Sequence, residues 1–210
     1  MKKIEWNEEQ RKAFQDLLRE FVALIDTKVQ EKKQTGRAPK IPKYGSCQKG
    51  LNKFLAPWGY ACKISLGSGN LSNEPSIAFC RQDILGEGFV NRKKPTPKKG
   101  FYLWFAYYWC NDAERIDICI GCSREPNGEK ECQKCLAYDK IIDPNKDTYY
   151  QEIYEDLEAH LEKITNDFLR FANKFNQIPL RILNQDHLAQ AIKNNPLTER
   201  NSLLGISPKN

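Results

Sequence analysis

The chain begins with a hydrophobic pattern that is typical of an amphipathic helix. Over residues 8–33 the apolar side chains recur at steps of three and four residues and therefore share one face. Asn7 and Gln10 have the spacing of a capping box, which marks where the helix begins. The helix is expected to end before Gly36. Residues 47–55 predict a second, shorter helix.

Apolar runs in the middle of the chain predict strands. Residues 61–66 and 77–80 flank a segment rich in Gly, Ser, Asn and Pro, which is typical of a strand, a loop and a second strand. Residues 101–110 are almost wholly apolar and aromatic, which predicts a central strand covered on both faces, with most of its rings in the core. Residues 115–121 alternate isoleucine with polar partners, so this strand is covered on one face. Asn111 and Asp112 supply the turn between them.

A second long amphipathic pattern spans residues 147–177 and predicts a C-terminal helix. Asp147 is its candidate N-cap, and Pro179 stops it. The fold class that follows is α+β, with a mixed, largely antiparallel sheet flanked by the N-terminal helix and this long C-terminal helix. The predicted divisions are an N-terminal helix with a basic linker (1–45), the main folded domain (46–184), and a polar tail or linker (185–210).

The composition favours a soluble globular protein. The chain of 210 residues carries 33 Lys and Arg against 27 Asp and Glu, and the net charge of +6 permits a polyanionic partner without requiring one. No apolar run reaches the length of about 18 residues that a membrane helix needs, and no signal peptide is apparent. Eight cysteines without a secretory signal favour the reducing cytoplasm, where they are free thiols or metal ligands.

The loop between the first two strands carries the most distinctive chemistry. Gly67 and Gly69 bracket Ser68, so the backbone there can take positive φ angles or approach another molecule closely. Asn70 forms Asx turns readily, and Pro75 suits the first position of a strand. By itself this pattern fits an ordinary hairpin loop equally well.

The loop is one part of a longer ordered series, S-x-G-x-G-N, P-x-x-A-F, a basic insert, then G-x-Y. This series resembles the N-terminal DNA-binding domain of the McrB-type modification-dependent restriction proteins. The likeness covers most of residues 50–180 and continues through residues 166–168 to 178–179. It depends on Ser65, Gly67, Gly69, Asn70, Pro75, Ala78, Phe79, Gly100, Tyr102, Gly121 and Ser123.

The resemblance implies a module that flips a methylated or hydroxymethylated cytosine out of duplex DNA into a pocket. In that family the module works with an AAA+ GTPase domain and a separate nuclease subunit, which are therefore implied partners. The implied pocket positions are Ser68, Ser76, Tyr102 and Ala106. The family's better-known member has large aromatic or aliphatic side chains at three of these positions, where this chain has Ser68, Ser76 and Ala106. The pocket is then either enlarged for a bulkier modified base or refilled by neighbours such as Phe101 or Trp104.

Three further regions are candidates for contact with the DNA backbone or groove. The insert at residues 91–99 is basic, contains two prolines and has no acid, so it is either a solvated hairpin tip or a phosphate-binding segment. Residues 35–44 are likewise a solvated linker or a DNA-tracking arm. Residues 123–130 are an exposed turn or, by the resemblance, a DNA-facing loop. The predicted DNA-binding residues are Gly67, Gly69, Asn70, Arg92, Lys93, Lys94, Lys98, Lys99, Arg124 and Asn127.

Two C-x-x-C pairs, separated by nine residues, have the spacing of a tetrahedral zinc site. The four cysteines are Cys119, Cys122, Cys132 and Cys135. A strand points residues i and i+3 to opposite faces, so the first pair needs a turn at Gly121. The alternatives are a structural zinc site and free buried cysteines. The zinc site would suit a second class of function, a zinc-stabilised protein–protein adaptor without DNA binding.

Sequence motifs of the common enzyme classes are missing from the chain. It contains no phosphate-binding GxxxxGK[ST], no GxSxG and no HExxH, and the metal-binding carboxylate pattern of restriction nucleases is not evident. The sequence therefore predicts a binding module that needs no cofactor, and any GTPase or nuclease activity is expected in another domain or subunit.

Overall fold

The computed structural model describes residues 1–85, 101–109, 114–122 and 151–178. In this part of the chain the strands are β1 (Tyr60–Ser65), β2 (Ser76–Arg81), β3 (Phe101–Tyr108), β4 (Arg115–Cys122) and β5 (Gln151–Tyr154). They form one sheet in the order β1-β2-β3-β4-β5. Every pairing among them is antiparallel, and β3 is central. The predicted α+β class is confirmed.

The helices are α1 (Glu8–Thr35), α2 (Gly45–Leu55), a short α3 (Gln82–Leu85) and α4 (Leu157–Gln177). The predicted capping box begins α1: Gln10 N donates to Asn7 Oδ1 (2.9 Å), and Asn7 N donates to Gln10 Oε1 (3.0 Å). Gly36 ends α1 in the left-handed conformation, with φ +67°. No helix within the described ranges has the length and apolar character needed to cross a bilayer.

The start of the C-terminal helix was wrong in the sequence prediction. Residues 151–154 form β5 instead of helix, and α4 begins only at Leu157. Asp156 is the N-cap, accepting a hydrogen bond from Ala159 N (2.9 Å), whereas Asp147 lies outside the described residues. The apolar spacing of this stretch fits a helix, but pairing with the edge of β4 satisfies its backbone groups as a strand. The predicted end is confirmed: Ile178 is extended (ψ 122°), as suits a residue before proline.

One hydrophobic core joins the helices to one face of the sheet. Phe14, Leu18 and Phe21 of α1 are fully buried in the same cluster as strand residues of the sheet. The predicted division at residue 45 therefore does not separate two packed units. The inward-facing strand residues of this core are Tyr60, Cys62, Ile64, Ile77, Phe79, Leu103, Phe105, Tyr107, Ile116, Ile118, Ile120 and Tyr154.

An aromatic cluster at the centre of this core holds three elements together. Phe168 of α4 lies 4.5 Å from Phe14 of α1 and 4.9 Å from Phe79 of β2, measured between ring centroids. Trp6 stacks on Phe168 at 5.7 Å and contacts Phe54 of α2 at 5.0 Å. The N-terminal segment is therefore part of the core.

A buried arginine joins the end of β2 to the end of α4. Arg81 is only 2% exposed. Its Nη1 donates to the carbonyl oxygens of Phe175 (2.6 Å) and Ile178 (3.1 Å). Its Nε and Nη2 donate to the two carboxylate oxygens of Asp83, at 3.0 and 2.7 Å. One guanidinium thus donates to two carbonyls at the end of a helix, where the last carbonyls have no donor in a following turn.

Candidate nucleic-acid interface

The β1–β2 loop, residues 66–75, is fastened to the segment that precedes α2. Leu71 N donates to the carbonyl oxygen of Pro39 (2.8 Å), and Lys40 forms an antiparallel bridge with Asn70. Within the loop, Ser72 N donates to Leu66 O (2.7 Å). The basic segment 35–44, whose Arg37, Lys40 and Lys43 are exposed, therefore runs against the glycine loop. The two segments form one surface.

The two loop glycines have different structural requirements. Both have positive φ angles, +118° at Gly67 and +82° at Gly69. A Cβ at Gly67 would lie 2.4 Å from Asn70 O and 2.8 Å from Ser72 N, which are backbone atoms that cannot move aside easily. A Cβ at Gly69 would meet open space. Gly67 is required by conformation and by contact, and Gly69 by conformation alone.

Alanine at these two positions is expected to give unequal losses of stability. Gly69→Ala adds only the strain of a left-handed alanine, and we expect the free energy of unfolding to fall by about 1–2 kcal/mol. Gly67→Ala adds a clash with backbone, so its loss should be the larger, about 2–3 kcal/mol or more. Urea unfolding of both variants measures the difference. Equal losses would contradict the contact described at Gly67.

The loop also packs against the end of the aromatic strand β3. Trp109 Nε1 donates to Ser72 O (2.7 Å), and Tyr107 N donates to Pro75 O (2.9 Å). The hydroxyl of Tyr108 donates to the Glu74 carboxylate. The glycine loop and the aromatic strand, which the sequence hypothesis needs side by side, are neighbours in the structure.

The four predicted pocket positions are brought together only in part. Ser76 pairs with Ala106 across β2 and β3, and Ser68 is exposed in the loop at the same end. Tyr102 is four residues from Ala106 along β3, which corresponds to about 13 Å, and Trp104 lies between them. Ser76 is 9% exposed and Ala106 is fully buried. A base could therefore reach Ala106 only by displacing the atoms that cover it.

The second face of β3 is the feature that the sequence analysis missed. Leu103, Phe105 and Tyr107 are buried in the core, but Tyr102, Trp104 and Tyr108 alternate with them and are only partly buried. The strand was predicted to be covered on both faces, and the second face is covered less completely than the first: Ala106 is fully buried, whereas the three rings keep part of their surface exposed. Strict alternation within an all-apolar run gives no sign of which face is less covered, because both sets of residues are apolar.

A polar pair occupies the β4 side of this second face. Asp117 lies directly opposite Ala106 and is 3% exposed. Arg115 donates to both of its carboxylate oxygens, from Nε at 2.9 Å and from Nη2 at 2.7 Å. The same guanidinium lies 4.9 Å from the centre of the Tyr108 ring. Because it pairs with the carboxylate, the guanidinium of Arg115 has a raised pKa.

The cysteine pairs are only partly within the described residues. Gly121 pairs with Tyr102 inside β4, so it does not form the turn that the first C-x-x-C pair requires. Burial raises the pKa of the Cys119 thiol to about 12, which favours the neutral form over the thiolate that binds zinc. No group of three metal-binding side chains occurs in the described ranges. Cys132 and Cys135 lie outside them, so the zinc set stays a prediction.

The other described thiols are also buried. Cys47 in α2, Cys62 in β1 and Cys80 in β2 are 0%, 0% and 2% exposed. Burial raises the pKa of Cys47 and of Cys80 to about 12, and raises that of Cys62 as well. At neutral pH these three thiols are protonated side chains of the interior.

The basic insert with Arg92, Lys93, Lys94, Lys98 and Lys99 lies outside the described residues, as do Arg124 and Asn127. A groove of about 580 Å³ is present elsewhere, on the helices, and does not coincide with the predicted site. It is lined by Gln10, Ala13, Asp16, Leu17, Glu20, Gly50, Lys53, Phe54, Pro57 and Trp58.

A comparison of the chain with protein-family models, with curated proteins and with solved structures finds no match. Its function is therefore inferred from its own residues and from the resemblance of the glycine-loop series. Three elements meet at one end of the sheet: the glycine loop, the end of the aromatic strand β3, and the basic segment that touches the loop.

Proposed function

We propose that this chain is a DNA-recognition module that binds a modified base, a modified cytosine unstacked from the duplex, for a modification-dependent restriction system. The observation that supports the proposal is the position of the β1–β2 loop. It lies between the exposed basic segment 35–44 on one side and the aromatic strand β3 on the other. Such an arrangement places charge for the DNA backbone beside the loop, and places the loop beside the strand that carries the aromatic residues.

The physical requirements of base recognition agree with this arrangement. Unstacking a base costs a few kcal/mol, which contacts to the extruded base must offset. Stacking on an aromatic ring contributes about 1–3 kcal/mol per base. Lysine and arginine near the phosphates add an attraction that does not depend on sequence. Arg37, Lys40 and Lys43 are exposed beside the loop, and the loop backbone at Gly69 is open to close approach.

The proposed module has no catalytic role of its own. The partners it implies are double-stranded DNA carrying the modified base, an AAA+ GTPase domain and a nuclease subunit. These partners follow from the resemblance of the glycine-loop series, and they remain part of the proposal.

A binding titration over a salt series tests the proposal. The purified chain is titrated against fluorescent duplexes that differ only at one cytosine, which is unmodified, 5-methylated or 5-hydroxymethylated. We expect a modified duplex to bind more tightly, and all affinities to fall as salt rises. If no duplex is bound at any salt concentration, the proposal is wrong. Equal affinity for all three would refute the choice among these modifications and leave general DNA binding.

The basic insert provides a further prediction for the same assay. Replacing Lys93, Lys94, Lys98 and Lys99 by alanine should weaken binding to every duplex alike. If each lysine neutralises a phosphate, the slope of log K against log salt should flatten by about 0.9 per lysine. The control removes four exposed helical lysines, Lys12, Lys49, Lys53 and Lys174, and so changes the net charge equally. If the two variants behave alike, the insert has no specific role.

A further inference from the structure

Trp104 stands in the middle of the less covered face of the sheet. Its partners across the strands are Ala78 on β2 and Cys119 on β4, both small residues. Lys63 of β1 continues the same row beyond Ala78. The indole is partly exposed. A partly exposed indole with small residues on both neighbouring strands is suited to stack a base.

The other tryptophans near the sheet are occupied by the fold. Trp6 stacks within the aromatic cluster of the core. Trp109 donates its indole N–H to Ser72 O, and the Lys32 ammonium lies 4.6 Å from the centre of its ring. Within the ranges that the structure describes, Trp104 has no hydrogen bond, ring contact or cation contact. Its ring is thus not committed to holding those parts of the fold together.

The remaining positions on this face are less suited to stack a base. Tyr102 packs against the cluster of Ala78 and Cys80, and one of its ring carbons would lie 3.2 Å from a Cβ at Gly121. The Tyr108 ring has the Arg115 guanidinium over it, at 4.9 Å. Ala106 is fully buried. Among the described aromatic residues of this face, Trp104 is therefore the one whose ring is partly exposed and free of such contacts.

We infer that Trp104 is the side chain on which the unstacked base stacks, in place of a pocket formed over Ser76 and Ala106. This inference rests on the proposed function, because it assigns a residue to the base site of that function. The ligand class is an unstacked nucleobase that carries its 5-substituent at the edge of the base, in the plane of the base ring. Lys63 lies in the same row, two strands away. It supplies a positive charge for the backbone phosphates next to the extruded base.

Substitutions of two tryptophans test the inference. The probes are a duplex with one 5-methylcytosine and the same duplex with an abasic site opposite that base, which lowers the cost of extrusion. Trp104→Ala should weaken binding of both by about 5- to 150-fold, the loss of one stacked base. Trp104→Phe keeps a ring and should bind within a few-fold of the natural chain. Trp58→Ala is the control, because Trp58 is also partly buried but lines the helical groove.

The outcomes separate the inference from the proposed function. If the natural chain binds the duplexes and Trp104→Ala binds them equally well, the inference is wrong and the proposed function stands. If the natural chain binds neither duplex, both are wrong. Equal losses in Trp104→Phe and Trp104→Ala would also overturn the inference, because a ring at this position would then have no value. Thermal unfolding of each variant verifies that the compared proteins are folded.

Discussion

Replacing Arg81 by alanine is expected to lower the free energy of unfolding by about 3–5 kcal/mol, the usual cost of breaking a buried, paired charge. The guanidinium is the shared donor for two main-chain carbonyls at the end of α4 and for Asp83. Its removal takes the guanidinium donor from both carbonyls, leaves Phe175 O with the Ile178 N–H at 3.2 Å, and takes away the cation that lies 5.2 Å from the Phe175 ring. Urea unfolding measures the loss as a lower midpoint at an unchanged slope.

Arg19 provides the matched control for this prediction. Its guanidinium also forms a forked contact with a carboxylate, that of Glu158, and it donates one further hydrogen bond to Asp16. Its side chain is 41% exposed and that of Glu158 is 64% exposed. Arg19→Ala should therefore cost less than about 1 kcal/mol, as exposed ion pairs do. Comparable losses at Arg81 and Arg19 would mean that burial of the guanidinium does not determine its contribution.

Truncating Phe168 to alanine is expected to cost a similar amount, about 3–5 kcal/mol, for a different reason. The ring is 2% exposed and contacts Trp6, Phe14 and Phe79, so its loss leaves a cavity where α4, α1 and β2 meet. In a chain of this size each kcal/mol lowers the melting temperature by about 2–4 °C. Differential scanning calorimetry should therefore record a fall of roughly 10 °C.

Two further substitutions make the Phe168 prediction specific. Phe168→Leu fills part of the cavity and should recover a part of the lost stability. Ile153 of β5 is a large apolar residue that is 53% exposed, and Ile153→Thr keeps the strand preference. We expect that change to stay within about 0.5 kcal/mol of the natural chain. A fall in melting temperature at Ile153 as large as that at Phe168 would contradict the packing described.

Most of the fold is encoded in local patterns. The capping box at Asn7 and the glycine at residue 36 define α1 by short-range chemistry, and strands β1 to β4 begin and end close to their predicted bounds. The exception is β5. Its few residues satisfy a helical spacing equally well, and only the free edge of β4, a partner distant in sequence, makes them a strand. Asp156 is the local signal that could have corrected the boundary, since its side chain caps α4.

The candidate site was predictable in its location but not in its surface. The resemblance implied one site for Ser68, Ser76 and Ala106, and in the structure these three residues lie near one end of the sheet. Which of them is accessible depends on the side chains that cover each position. Ala106 is covered and Trp104 is not fully covered, although both belong to the same face of β3. The resemblance supplies positions, whereas burial decides which of them a ligand can touch.

The buried thiols can also be used to measure local opening of the folded protein. Cys47, Cys62 and Cys80 belong to α2, β1 and β2 at one edge of the sheet, with Cys80 buried on the second face. An alkylating reagent can reach these thiols only when the structure around them opens. The rate at which they are modified therefore depends on the free energy of that local opening. Labelling kinetics in the presence and absence of DNA would therefore show, without any introduced probe, whether DNA binding raises the free energy of opening at this edge of the sheet.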